Sequence, residues 1–430
     1  MIKFFYSFLL FTLVSFSAQA QKLNRTERKI VDKVKSLDGS SLSFLEKVVN
    51  INSGTLNLEG VKEVGTVFDQ AFQEIGFQTQ WIDMPAEMNR AGHLFASIEG
   101  KKGKKLLLIG HLDTVFEENS PFQTFEKIND SIAYGPGAND MKGGDVVVLY
   151  ALKALADLNL LKDSSITVAF TGDEESTGKP LSISRKDLIE AGKKADIALG
   201  FENATGFSNA TIARRGASGW SVEVEGKRAH SSGVFNDRVG AGAIFEMSRI
   251  LNAFYEEVRG EEYLTFNPGT LLGGTFVDYN KQTSSGEVFG KTNVVAQKAI
   301  VNGGLRFISE EQKETARTKM REIVSKNLPQ TSATINFTDS YPAMGPTEGN
   351  ATLLKKLSDV SEDLGFGAVS GYDPGRRGAA DISFVADYVD GLDGLGTMGR
   401  GAHTPQETVN IKTMNALIQR TAVLIYRLTR

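Results

Sequence analysis

The sequence predicts an α/β fold: a mainly parallel sheet flanked by helices, interrupted by an inserted α+β sandwich. Three observations carry that expectation. Continuous apolar runs such as Leu106-Leu107-Leu108-Ile109 mark strands buried on both faces. Segments of helical spacing separate these runs, as in a parallel sheet covered on both sides. From Ser218 to Thr338 the alternation gives way to several strands with two helices among them, which suits a small two-layer α+β unit.

Taken in order, the N-terminus reads as a secretion signal. Lys3 precedes an apolar run from Phe4 to Phe16, and Ala18-Gln19-Ala20 supplies a small-x-small cleavage site, so residues 1–20 are expected to be removed. A membrane anchor is the competing reading, but spanning a bilayer takes roughly 18 or more apolar residues. This run is shorter and broken by serines, so no stable anchor is expected, and the mature chain is placed in the periplasm or outside the cell.

Helical spacing runs from Glu27 to Asn50 and from Gly60 to Ile75, where Gly76 supplies a stop. Strands follow at Gln78 to Ile82, His93 to Ile98 and Leu106 to Ile109, the last ending at Gly110-His111-Leu112-Asp113. Asp140 to Leu158 reads as helix, Ser165 to Thr171 as a buried strand ending at Asp173-Glu174-Glu175, Asp187 to Ala191 as helix, and Ile197 to Phe201 as strand. In the inserted unit, Ser218 to Glu225 alternates as a strand and Val239 to Val258 reads as a long amphipathic helix. Leu271 to Phe276, Val288 to Ala296 and Ile300 to Phe307 read as strands, Glu310 to Asn327 as helix, and Thr331 to Thr338 as strand. The expected boundaries are 21–214 for the first part of the larger domain, 215–340 for the insertion and 341–430 for the second part.

Composition narrows the chemistry. The chain has no cysteine and only four histidines. It therefore has no disulfide framework and no thiolate metal site, and any tightly held metal rests on His, Asp and Glu, a donor set that favours zinc, manganese or cobalt. The formal charge of −4 comes without a basic stripe, which excludes a nucleic-acid partner.

The polar residues that stand out end apolar strands or sit in Gly-rich loops, where open α/β sheets carry their sites. They are His111, Asp140, Glu174, Glu175, Glu202 and His403. A two-metal hydrolase needs about two protein ligands per metal beyond a shared carboxylate. Asp140 suits the bridge, with His111 and Glu202 on one metal and Glu175 and His403 on the other. Asp113, two residues beyond His111, can orient its imidazole. Glu174, beside a ligand but free, can serve as general base. The plainer readings are a helix N-cap for Asp140 and solvated loop charge for Glu174 and Glu175. Adjacent carboxylates at a buried strand end are costly without a cation, which favours the metal.

His111-Leu112-Asp113-Thr114-Val115, then Gly135-Pro136-Gly137-Ala138-Asn139-Asp140-Met141-Lys142-Gly143-Gly144, then Asp173-Glu174-Glu175 resemble the three successive signatures of the M20 metallopeptidases. The resemblance runs from about Phe44 to Ile411. It implies a zinc-peptidase catalytic domain with an inserted lid and dimerisation domain, and two Zn2+ per subunit, with Co2+ or Mn2+ as substitutes. His111, Asp140, Glu175 and His403 fall on its metal positions, Glu174 on its general base and Asp113 on the carboxylate that orients the histidine. It further implies that His230, in Gly226-Lys227-Arg228-Ala229-His230-Ser231, reaches a neighbouring subunit's site in a homodimer built through the lid. Asn293 and Arg306 are implied to grip the substrate's carbonyl and carboxylate, and the loop from Gly378 to Asp381 to line the pocket. Glu202 is the variant of the last ligand found in the desuccinylase and aminoacylase branches. No acidic residue precedes the lid arginine, where Asn302-Gly303-Gly304 stands.

The implied activity is hydrolysis of an amide or peptide bond adjacent to a free carboxylate, in a peptide or an N-acyl amino acid. An aminopeptidase or tripeptidase of the same family is the alternative. A non-catalytic binding protein is a third reading, disfavoured because the ligands and base are all present. His93 receives no catalytic role, the Lys101 to Lys105 turn reads as solvated, and Arg376-Arg377 stands where it can add positive charge for an acidic substrate.

Overall fold

A computed structural model describes residues 23–430; the expected signal peptide lies outside the described residues. The central sheet has six strands, in the spatial order Gln78–Ile82, His93–Ile98, Ser164–Thr171, Lys102–His111, Ile197–Gly200, Gly391–Leu392. The last four run parallel. The first two pair antiparallel with each other and with Ser164–Thr171, so the expected parallel sheet carries an antiparallel edge. The reason is the connection: residues 83–92 hold only a single 3-10 turn, too little for the crossover that a parallel pair requires.

Alternation along Lys102–His111 explains why its apolar run is unbroken. Leu106 and Leu108 enter a core shared with the helices Arg25–Ser36, Asp38–Val49, Leu58–Glu74, Lys142–Asp157 and Ile411–Leu428. Leu107 and Ile109 enter a second core on the opposite face, with Leu188, Ile382 and Val385. Successive side chains point to opposite faces, and helices or loops cover both. Among the described residues, no helix is long and apolar enough to cross a membrane.

A second, wholly antiparallel sheet orders Thr265–Gly274, Lys298–Phe307, Gly216–Gly226 and Thr331–Asp339. Helices Ala243–Ala253 and Glu310–Val324 cover one face, burying Trp220, Val222, Val224, Met247, Ile250 and Met320. This lid joins the larger unit at a narrow neck, where Ala217 N–H donates to Tyr341 O (2.8 Å) and Arg214 pairs with Met344.

Three expectations change. The helix expected from Val239 starts at Ala243, because Gly240 and Gly242 take positive φ (69° and 79°) and the Ala243 N–H goes to Ala296 O instead; its last turn, Phe254–Val258, widens to a π-helix. The strand expected over Val288 to Ala296 is half of a hairpin, Phe276–Asn280 with Ser285–Phe289, and a turn closed by Val294 N–H to Lys291 O follows it. Asp140 does not cap the next helix: Met141 holds that position without a side-chain bond.

Candidate active site

Neighbouring strand ends gather the candidate residues. His111 ends its strand, and Leu112 N–H still donates to Thr171 O (2.7 Å), so the Asp173-Glu174-Glu175 turn leaves the adjacent strand beside it. On the other side, Phe201 N–H donates to Ile109 O (2.9 Å) and delivers Glu202. Asp140 comes from the loop before Lys142–Asp157. His403 comes from a C-terminal turn, with φ at 64°.

The two oxygens of Asp140 each face one imidazole: Oδ1 lies 3.6 Å from His111 Nε2 and Oδ2 lies 3.3 Å from His403 Nε2. Glu202 Oε1 is 3.7 Å from His111 Nε2, and Glu175 Oε2 is 3.1 Å from His403 Nε2. The five residues proposed as ligands thus converge, with Asp140 between two pairs. His111, Glu174 and Glu202 also offer ligand atoms within 4.8 Å of one another, so Glu174 borders the same space. His111 Nε2 and Glu175 Oε1 are buried without a hydrogen-bond partner. Such orphaned acceptors cost free energy unless something occupies them. His111 Nδ1 lies 3.0 Å from the Asp113 carbonyl and 3.3 Å from its carboxylate, which puts the proton there and leaves the Nε2 lone pair facing Asp140 and Glu202. The donor set therefore fits a divalent cation.

The electrostatics agree. Without a cation, burial pushes the Glu202 carboxyl up to about 8, with repulsion from Asp140 adding to it. Burial likewise holds Glu174 well above the usual carboxylate range, His111 opposing and Glu202 and Asp381 reinforcing. Hydrogen bonds to Asp140 and Glu175 lift His403 to about 11. Burial works against the Asp140 carboxylate, but bonds to both histidines hold it below its ordinary value. Carboxylates crowded with two imidazoles, taking up protons where no metal is present, form a cation site by charge as well as by geometry.

A profile described as "Peptidase family M20/M25/M40" matches residues 107–427. The chain belongs to this family. It is an M20-type metallopeptidase, a hydrolase. It is 27% identical to carboxypeptidase G2 of Pseudomonas sp. (strain RS-16), over 89% of this chain and 88% of that one. It is 23% identical to a succinyl-diaminopimelate desuccinylase of Rickettsia bellii (strain OSU 85-389), over 87% and 93% of the two chains. Its fold superposes on the aminopeptidase PepT of Bacillus cereus with a TM-score of 0.73, covering 91% of this chain and 99% of that chain, at 18% identity.

Within this M20 chain, buried polar residues hold the site together, and two of them, Glu407 and Arg185, had no sequence signal strong enough to single them out. Asp113 is wholly buried, and its carboxylate accepts from Thr55 Oγ1 (2.6 Å), Glu174 N–H (3.0 Å) and Glu175 N–H (3.1 Å). Its expected orienting role is thus joined by a second one, tying the Glu174 turn to the His111 strand. Glu407 is equally buried and accepts from the backbone N–H groups of Gly137, Asn139 and Asp140 at 3.3, 2.8 and 3.0 Å, locking Asp140's loop to His403's. Its place four residues after His403 was the one available clue. Arg185, fully buried, bridges Asp173 and Asp381 Oδ1 (2.8 Å), and Thr171 Oγ1 takes the other Asp381 oxygen (2.5 Å). Asp381 is therefore turned inward, both of its carboxylate oxygens engaged, and lines a small cavity with His111 and Glu202.

The lid residues stand apart from the metal cluster. His230 is exposed, its Nδ1 bonded to Ser232 Oγ (2.8 Å), and Ser231 N–H donates to Asn293 O (2.9 Å), which seats Asn293 beside it. No hydrogen bond or ion pair links His230, Asn293 or Arg306 to the cluster among the described residues. Arg306 and Gly378 do meet, lining one pocket of about 280 Å3. His93 is buried, with Gly172 N–H donating to its Nδ1 and its Nε2 donating to Ser184 O.

Proposed function

We propose that this chain is an exported di-zinc hydrolase that cleaves an amide or peptide bond adjacent to a free carboxylate, as a carboxypeptidase or N-acyl-amino-acid amidohydrolase. The observation that carries the reading is Arg306: it has no acidic partner among the described residues and lines a pocket with Arg377, which bonds Asn203 and through it reaches Asp140. A planar guanidinium is the natural partner of a terminal carboxylate. The likeness to carboxypeptidase G2 supports the same direction.

His111 and Glu202 would hold one cation, Glu175 and His403 the other, and Asp140 both. Bound there, the cations supply Lewis acidity that polarises the scissile carbonyl and acidifies water. Glu174 accepts the proton of the attacking water and returns it to the leaving nitrogen as the C–N bond breaks, giving a carboxylic acid and an amine. Arg306 and Asn293 orient the substrate, and Asp113 holds the Glu174 turn in place.

In this reading His230 serves the partner subunit's site by stabilising the developing oxyanion. Dimerisation through the lid is supported by its exposed apolar side chains. Phe235, Ile244, Phe245, Leu271, Phe276 and Phe289 are each about half exposed or more, against a soluble monomer's tendency to avoid such grouping.

The test is hydrolysis of dipeptides and N-acyl amino acids, each as free acid and C-terminal amide, with and without added zinc. Zinc-dependent cleavage confined to the free acids is expected. Cleavage of the amides as well, with loss of cleavage on N-acylation, would replace this reading with an aminopeptidase.

A further inference from the structure

We propose that Tyr341 is a positioning residue for the reaction: its phenol pins the peptide between Glu174 and Glu175 from the side opposite Asp113. This rests on the reading of Glu174 as general base and names the group that fixes it.

One peptide plane joins the base to the neighbouring ligand. Its two polar ends are the Glu174 carbonyl and the Glu175 N–H, and in a trans peptide these point in opposite directions. The Glu175 N–H donates to Asp113 Oδ2 (3.1 Å), and on the far side the Tyr341 hydroxyl donates to Glu174 O (2.8 Å). Rotation of that plane changes ψ at Glu174 and φ at Glu175, the torsions that set how the two side chains lie relative to each other. Asp113 alone restrains one end of the plane. With Tyr341 on the other, both ends are held.

The phenol oxygen has one proton to give and two lone pairs to fill. Its proton goes to Glu174 O, so Thr177 Oγ1, 2.8 Å away, donates to it, as does Arg185 Nη2 at 3.4 Å. Arg185 Nη2 also reaches the carbonyl of Asp173 (3.3 Å), the residue before the base. The ring packs against Phe384 with centroids 4.9 Å apart, and the Arg185 guanidinium lies over the same Phe384 ring at 5.4 Å. Packing and hydrogen bonds together leave the hydroxyl one direction to point.

Tyr341 also stands at the neck. It follows Thr331–Asp339, the last lid strand, and its backbone carbonyl accepts the Ala217 N–H of Gly216–Gly226, the first. Different atoms of one residue thus serve the two units, the carbonyl the lid and the hydroxyl the base. A substitution that removes only the hydroxyl separates the two roles.

Tyr341→Phe is that substitution, since it keeps the ring on Phe384 and the carbonyl bond to Ala217. On the metal-loaded enzyme kcat should fall about tenfold, because catalysis is steep in the placement of the reacting groups, while KM stays within about twofold and zinc content is unchanged. Deuterium exchange read by mass spectrometry should be about tenfold faster over residues 173–178 and unchanged in the lid strands. Thr177→Val, which leaves the bond from Tyr341 to Glu174 O in place, should cost kcat less than about threefold. An unchanged kcat with a raised KM would assign Tyr341 to the neck alone and overturn the proposal. Exchange over 173–178 equal to that of the unsubstituted protein, or equal losses of kcat in the two variants, would overturn it as well. Near-normal turnover in Glu174→Gln would instead remove the base, and faster exchange of the turn in Tyr341→Phe would still support the pinned peptide.

Discussion

The central sheet and the lid solve different problems with the same kind of side chain. In the sheet, Arg185 and Asp113 are wholly buried and saturated, and each fixes a turn that carries a candidate ligand or base. In the lid and along its border, Arg306 is exposed and in no ion pair among the described residues, and His230 is exposed, its ring bonded within its own turn. The sheet is complete within one chain. The lid presents groups that, among the described residues, make no bond to the metal cluster.

Substitutions can sharpen that contrast, starting with the strongest. Glu174→Gln should lower kcat by roughly 10³–10⁴-fold while metal analysis shows unchanged loading; near-normal turnover would remove Glu174 as the base. Arg185→Met strands two buried carboxylates and should destabilise the protein by about 3–5 kcal/mol, read from urea unfolding. The partly exposed lid pair Lys298–Glu223, at 3.8 Å, should contribute no more than about 1 kcal/mol when Lys298 becomes alanine. If the two losses are similar, the sheet is not the more tightly determined region.

His230→Ala should lower kcat by about 10²–10³-fold with metal affinity unchanged. Mixed with Glu174→Gln and allowed to exchange subunits, it should regain activity, since one site of the heterodimer then has both groups. No recovery after proven exchange would confine His230 to its own chain.

A last effect concerns protons. Glu202, raised to about 8, and His403, raised to about 11, are both protonated at neutral pH when no metal is present. A cation must displace those protons, so metal affinity should rise about 100-fold or more between pH 6 and 8. Glu202 prefers its proton in the folded state. The metal-free protein should therefore lose stability as pH climbs from the ordinary carboxylate range toward 8, and metal loading should remove that loss. Calorimetry in buffers of different ionisation enthalpy measures the release, and a pH-independent affinity would contradict it.

The sheet was also the more legible region. Leu106 to Ile109 and Ser165 to Thr171 announce buried strands by composition, and chemistry-bearing residues at their ends follow from the geometry of open α/β sheets. Glu407 escaped notice because its partners lie 267 or more residues away, and Arg185 because one of its two carboxylate partners, Asp381, lies 196 away. No local pattern encodes such a pairing. In the lid, spacing misplaced a helix start and a strand, because tertiary bonds at Ala243 and a turn at Lys291 to Val294 overrode local propensity. The arginine pocket is assembled from three separated places in the chain, so Arg376-Arg377 alone could suggest it only by charge.

The neck between Ala217 and Tyr341 has a consequence for inheritance. An insertion that enters and leaves through adjacent strands can be cut out and replaced at two neighbouring points, without disturbing the register of the sheet that holds His111, Glu174 and Glu202. Arg306 would leave with it, and Arg215, Arg376 and Arg377 would stay. Part of the arginine pocket's lining is thus portable between genes as a cassette, while the residues at the strand ends are passed on intact.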